Sequence, residues 1–283
     1  MIDTSFLNQI KRFDLVIKKR VISQYAGERS SDHIGEGLVF QDYREYVPGD
    51  DFRAIDWKVY ARTSKFYIRR YEEERNLTVH VLIDSSASMD FGTTRTKFEY
   101  AAMIAIGISY LALKNNEKFE ISTFSDKMHS LRARKGKNQL ASLVEYFNKI
   151  KPTGQSKFRE SLDMLKQRLK SKSMIIIVSD FLFDPAELEA TLHQFKRSEI
   201  KVIQVLDSQE VKLSLSGENI LKDSESGGLL RTFVSNRLRT QYKNNLAEHM
   251  ARLKNICDNV GAVYVPVNTG DEIFEAFYQV LKQ

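Results

Sequence analysis

Residues 84–88 read Asp-Ser-Ser-Ala-Ser and directly follow the apolar run Val-His-Val-Leu-Ile. The alternate positions Asp84, Ser86 and Ser88 can turn three hard oxygens toward one point. Such a set suits Mg²⁺, which takes oxygen ligands in near-octahedral order and keeps several waters. Aspartate and serine after a strand also form turns and caps, so the pentapeptide alone is ambiguous. Two further stretches sharpen it. Ser156 lies on the Gly-containing loop of "PTGQSKF", just before a helical pattern, and Asp180 closes the apolar run "IIIVSD" as Asp84 closes its own. In an open parallel α/β sheet, ligands collect at the carboxyl ends of strands, where all three stretches would lie.

Other chemistries find less support. The five histidines are scattered, with no two at metal-ligand spacing, and Cys257 is the single cysteine. Cysteine zinc sites and disulfides within the chain are therefore excluded, and the balance fits the cytosol. His80, inside a strand, reads as a packed or interface histidine. No nucleophile elbow or phosphate-binding Gly-Lys-Ser loop with the required spacing is present. A metal-dependent phosphoester hydrolase is the alternative use of the same carboxylates, but no general base has a defensible position. The net charge of +6 is mild for 283 residues and reads as a solvated surface; no nucleic-acid motif accompanies it. The start lacks the pattern of a signal peptide, so the mature chain is expected to begin near Met1. The uncharged run Tyr100–Leu113 is too short to span a bilayer and reads as a core helix.

The elements that must position these residues follow from periodicity. Strands are expected at Thr78–Asp84, Phe119–Phe124, Met174–Ser179, Lys201–Leu206 and Ala262–Val267. Helices are expected at Lys97–Lys114, Gln139–Ile150, Phe158–Lys170, Pro185–Arg197 and Asn236–Asn259. Pro185 sits one residue after the capping candidate Asp184, where a first-turn proline belongs. Strands this apolar, alternating with helices, predict a doubly wound, mostly parallel sheet covered on both faces. An insertion near 211–235, with a Ser-Gly-Gly centre, interrupts the rhythm as an excursion or hairpin.

Residues 1–75 differ and read as an accessory segment, with the main domain over 76–283. Phe6, Ile10, Phe13, Ile17 and Val21 predict an opening amphipathic helix. A small, mostly β element then follows, with a turn at Pro48-Gly49. Arg44, Glu45, Asp50, Asp51, Asp56 and Trp57 are candidates for partner binding. For Trp57 a packed aromatic anchor is the favoured reading, and for Asp50 and Asp51 turn stabilisation competes.

Asp84-Ser85-Ser86-Ala87-Ser88, Ser156 and Asp180 resemble the metal-ion-dependent adhesion site of von Willebrand factor A domains. That resemblance implies a metal held by Asp84, Ser86, Ser88, Ser156 and Asp180, with the two carboxylates often acting through water. The family usually has Thr within Gly-Gly-Thr where this chain reads Gly154-Gln155-Ser156, and serine keeps the hydroxyl. Asp180 is followed by Phe181 rather than the frequent Gly. The ordered blocks Gly35/Gly37, Arg44-Glu45-Tyr46, Gly49-Asp50-Asp51, Ile55-Asp56-Trp57 and Ala61-Arg62 are similar to the signature of the bacterial and archaeal domain-of-unknown-function 58 proteins, which place them ahead of a von Willebrand-like domain. This resemblance implies a non-enzymatic adaptor for a MoxR-type AAA+ ATPase and its clients, acting in assembly or maturation of protein complexes. The implied cofactor is a divalent cation, Mg²⁺ first, with Mn²⁺ or Ca²⁺ as alternatives.

Overall fold

The computed structural model describes residues 2, 6, 8–10, 38–73, 78–115, 117–132, 139–169 and 172–282. The chain divides into two compact units, Ile22–Asn76 and the remainder.

In the smaller unit, β1 (Leu38–Glu45) pairs antiparallel with β2 (Tyr67–Glu73), and its register shifts between Phe40 and Asp42. Between them runs α1 (Trp57–Thr63), which Asp56 caps by accepting from the amides of Lys58 and Val59 at 2.9 and 3.3 Å. Four unpaired amides open any helix, and a side-chain oxygen that satisfies two of them fixes where it begins. Trp57 corrects the expectation of a packed anchor. It is 58% exposed and lies edge-on to Tyr60 and Phe66, which stack on each other at 4.5 Å.

The larger unit is built on a six-stranded sheet. Its strands are β3 (Thr78–Asp84), β4 (Lys118–Phe124), β5 (Met128–Arg132), β6 (Ser173–Ser179), β7 (Glu199–Leu206) and β10 (Val263–Asn268). Their order is β10-β7-β6-β3-β4-β5, parallel except for the β4–β5 pair. The helices are α2 (Lys97–Lys114), α3 (Gln139–Lys149), α4 (Phe158–Arg168), α5 (Pro185–Leu192), α6 (Ser208–Lys212), α7 (Asn236–Val260) and α8 (Ile273–Lys282). The hairpin β8 (Gly217–Lys222) and β9 (Leu229–Val234) stands outside the main sheet.

Two cores flank the sheet, and the period-2 alternation of side chains decides which residue enters which. Val79, Val81 and Ile83 of β3, with Ile176 and Val178 of β6, meet Ile104, Phe147 and Phe277 from α2, α3 and α8. Leu82, Ile175 and Ile177 face the other way, toward Leu162, Leu188 and Leu253 from α4, α5 and α7. Helices thus cover both faces, and the fold is the α/β class expected. The opening residues belong to this unit: Ile2, Phe6 and Ile10 are buried in the first core. Sequence reading had grouped them with 1–75; their apolar side chains enter the core of the later strands instead. Phe13, Ile17, Val21, Gly35 and Gly37 lie outside the described residues.

The run Tyr100–Leu113 is part of α2, most of whose residues are buried, and no helix among those described is long and apolar enough to cross a membrane. Gly107 marks its tightest contact. A Cβ there would come 1.7 Å from Cζ of Phe277, whose ring is itself buried. Overpacking of this kind costs about 1–3 kcal/mol, more than the roughly 1 kcal/mol of helix propensity that alanine returns. Gly107→Ala is expected to lower the urea midpoint at unchanged slope; a variant as stable as the parent would show that the α2–α8 contact is loosely packed.

Candidate functional site

The helix after β3 packs on one face of the sheet, and the helix after β6 on the other. The chain therefore parts at the carboxyl ends of these neighbouring strands and leaves a crevice there, where such sheets bind ligands. Asp84 ends β3, and Asp180 follows the last residue of β6.

Backbone bonds hold three loops around that point. Ser85 N donates to the Phe124 carbonyl at 2.7 Å, tying the turn to the end of β4. Thr153 N donates to Ser85 O at 2.9 Å and Ala87 N to Gly154 O at 3.0 Å, binding the α3–α4 loop to the turn. Gly154 has φ +81°, and a Cβ would lie 2.1 Å from Asp126 Oδ2. Only glycine allows both that backbone and that approach. The loop seats Ser156 beside Asp84.

The carboxyl group of Asp84 is fully buried. Its Oδ1 accepts from Ser86 N at 2.8 Å, and its Oδ2 accepts from the hydroxyls of Ser156 at 2.9 Å and Ser179 at 2.8 Å. Ser86 and Ser88 place their hydroxyl oxygens 3.1 Å apart. Asp180 stands near enough to repel Asp84. Burial first, and that repulsion second, push the Asp84 carboxyl up to about 6 against the hydrogen bonds that favour its charge. Asp180 Oδ2 accepts from Lys97 Nζ at 2.8 Å, and Lys97 also reaches Glu210 Oε1 at 2.6 Å. Glu210 Oε2 in turn accepts from Asp207 N at 2.8 Å, within the capping box of α6.

The structure thus brings Asp84, Ser86, Ser88 and Ser156 into one hydrogen-bonded group, with Asp180 alongside. Ser179, Lys97, Glu210 and Glu225 were missed by sequence reasoning. Glu225, at a half-buried position in the β8–β9 turn, has its carboxyl pushed up by burial first, against the Ser156 amide, which lowers it. Phe181 takes φ +51°, the region that favours glycine, and fills the second core beside Phe158. Its carbonyl bonds His249 Nε2 at 2.7 Å.

The proposed partner-binding set lies in the smaller unit and is engaged in local structure. Arg44 pairs with Asp50 at 2.9 Å, and Asp50 also accepts from Val47 N. Asp51 caps the short turn Phe52–Ala54, and Asp56 caps α1 while accepting from the Tyr43 hydroxyl at 3.0 Å. Glu45 faces Lys65 at 3.5 Å. Trp57 presents its indole to solvent.

A divalent cation fits the donor set. Among the described residues no three His, Cys, Asp or Glu side chains cluster closely enough to bind a metal by themselves, so hydroxyls would have to supply part of the shell. Ser86, Ser88 and Ser156 do so next to Asp84. Charge points the same way. Lys97 pairs with Asp180 and Glu210, while Asp84 and Glu225 sit in the same acidic surroundings and are both raised, in each case by burial first and by Asp180 as well.

A mostly parallel sheet with helices on both faces, and an Asp-x-Ser-x-Ser turn at its crevice, define a von Willebrand factor A-like domain. Residues 42–252 match the model of the family described as protein of unknown function DUF58, and the chain belongs to that family. It is 26% identical over 272 residues to the uncharacterized protein Rv1480 of Mycobacterium tuberculosis, covering 94% of this chain and 86% of that protein. Protein YeaD of Bacillus subtilis is 23% identical over 145 residues, 51% of this chain and 35% of its own. Among solved structures, an aerotolerance-related membrane protein from Bacteroides fragilis aligns over 73% of this chain and 97% of its own, at 13% identity and a TM-score of 0.48. BatB from Bacteroides thetaiotaomicron covers the same shares at 14% identity and 0.46.

Proposed function

We propose that this protein is a non-enzymatic, cation-dependent protein-interaction module that serves a MoxR-type AAA+ ATPase as an adaptor in the assembly or maturation of protein complexes, in the cytoplasm. The observation that carries the metal reading is the convergence of Asp84 with Ser86, Ser88 and Ser156 in a part-buried site with more carboxylate than cation. Asp84, Ser86, Ser88 and Ser156 would hold Mg²⁺ or Mn²⁺, and Asp180, committed at one oxygen to Lys97, would act through its other oxygen or through water. The bound ion supplies an attachment point for a carboxylate of the partner.

The chain's own residues do the positioning. Ser179 and Ser156 orient the Asp84 carboxylate, and the bonds from Thr153 and Ala87 keep the serine loops in register. Oxygens fixed in this way need little rearrangement on binding, which favours affinity. Partner class comes from the family resemblance carried by Arg44-Glu45-Tyr46, Gly49-Asp50-Asp51 and Ile55-Asp56-Trp57. The test is capture of a MoxR-type ATPase by the full chain, with Mg²⁺ and with chelator. Recovery should fall at least tenfold in chelator; equal recovery in both would remove the metal gate, and no recovery in either would remove the assigned partner.

A further inference from the structure

The hairpin β8–β9 is a two-stranded sheet of its own, so each strand has one edge without a neighbouring strand among the described residues. Asp223 N donates to Gly228 O at 2.8 Å, and Gly227 N to Asp223 O at 3.0 Å, which fixes the phase of the ladder. Main-chain groups alternate in direction from one residue of a strand to the next. Asn219 and Leu221 therefore turn theirs toward β9, as Asp223 does, and Glu218, Ile220 and Lys222 turn theirs away. Among the described residues no main-chain hydrogen bond meets these outward groups. β9 offers the poorer edge, because Phe233 O already accepts from Ser235 N at 3.0 Å.

The side chains of Glu218, Ile220 and Lys222 share one face of the hairpin with Leu229, Arg231 and Phe233. All six are exposed, Ile220 at 68%. An open edge with exposed apolar side chains is a template for another strand, and proline, a bulge or edge charge normally protects it. β8 contains no proline, and its register with β9 is unbroken. Its lysine is matched by a glutamate four residues earlier.

We infer that β8 is a self-association edge, which pairs antiparallel with β8 of a second copy about a two-fold axis at Ile220 and makes a four-stranded sheet. Directly opposed residues share a face, so the axis must fall on a residue. At Ile220 it sets Glu218 against Lys222 of the second copy at both ends, and Ile220 against its own counterpart. At Asn219 or Leu221 it would oppose Ile220 to Glu218 or to Lys222 and lose both ion pairs. The same operation on β9 about Arg231 would bring two guanidinium groups together. Exposed ion pairs add little energy but select register, while the outward main-chain groups supply affinity as in any added strand. A strand edge is a small interface, so the dimer is weak and concentration-dependent.

Sedimentation equilibrium of the full chain, from micromolar to millimolar concentration, tests this with Glu218→Lys, Lys222→Glu and the double reversal. The parent should dimerise reversibly. Each single reversal should weaken the dimer at least about tenfold by opposing like charges at both ends, although the two change net charge in opposite senses. The double reversal should return to within about threefold of the parent, the signature of a direct pair. Arg231, which pairs with Glu218 at 3.1 Å and lies diagonal to both positions, keeps an acidic neighbour in the double variant. A parent that stays monomeric, a dimer that both single reversals leave intact, or a double reversal that stays weak would each overturn the inference.

Discussion

Replacing Lys97 by methionine is expected to destabilise the larger unit by about 3–5 kcal/mol, the usual result of removing one partner from a buried ion pair. Lys97 is 1% exposed and opens α2 with its ammonium between Asp180 and Glu210, at 2.8 and 2.6 Å. Methionine fills most of the volume but leaves two carboxylates with little water and no counter-charge. Burial pulls the pKa of Lys97 down, yet Asp180 and Glu210 outweigh it and hold it above the ordinary 10.5. The folded state therefore binds this proton more tightly than the unfolded one. Its contribution is complete below the ordinary lysine value and is lost as pH rises through the higher folded one. Urea unfolding at neutral pH measures the loss. A change below about 1 kcal/mol would mean that the two acids find other partners or protonate without consequence.

Asp84→Asn should act in opposite directions with and without metal. In chelator, the parent's Asp84 is raised from 3.8 to about 6, by burial and then by Asp180. The native state thus holds a proton that the unfolded state has released, and stability falls as pH rises between those values. On the scale of 1.36 kcal/mol per pKa unit the fall is on the order of 3 kcal/mol. Asparagine has no charge to bury, so the variant should lose this slope and match or exceed the parent's stability at pH 7 in chelator. With Mg²⁺ at a hundred times its dissociation constant the parent gains about 2.7 kcal/mol, and Asp84→Asn should gain nothing measurable. Thermal melts across pH 4–7, in chelator and in Mg²⁺, contain both signs. Equal Mg²⁺ stabilisation of the two proteins would place the cation elsewhere.

Much of the frame was legible because it rests on strong local signals. Thr78–Asp84 and Lys97–Lys114 have the bounds that periodicity predicts: the first is an apolar run cut off by an acid, and the second is capped by Thr96, whose hydroxyl accepts from Glu99 N. Pro185 after Asp184 likewise opens α5. β5 was not legible. Met-His-Ser-Leu-Arg lacks alternation, and this edge strand exists through its ladder to β4. α8 stands beyond the last expected strand, and its apolar face is explained only by the core it closes.

At the site, Asp84, Ser86, Ser88, Ser156 and Asp180 stand out because each ends a strand or sits on a loop beside one. Ser179 looked like strand, since nothing in "IIIVSD" says that its hydroxyl turns to Asp84. Lys97 at a helix start reads as a surface residue, and its burial depends on acids 83 and 113 positions away. Glu225 sits in a polar turn of the kind that is normally solvated, and only the fold shows it to be half-buried. Trp57 was misjudged for a related reason: a large apolar side chain argues for burial, but a unit this small leaves its aromatic group only partly covered.

The cation site is tested most directly by whether a metal ion enters among Ser86, Ser88 and Ser156. Crystals of the full chain grown with Mn²⁺, measured at the manganese absorption edge, should show an anomalous peak bounded by those hydroxyls and the Asp84 carboxylate. A map without a peak there at saturating Mn²⁺, or with its strongest peak at another place on the molecule, would contradict it.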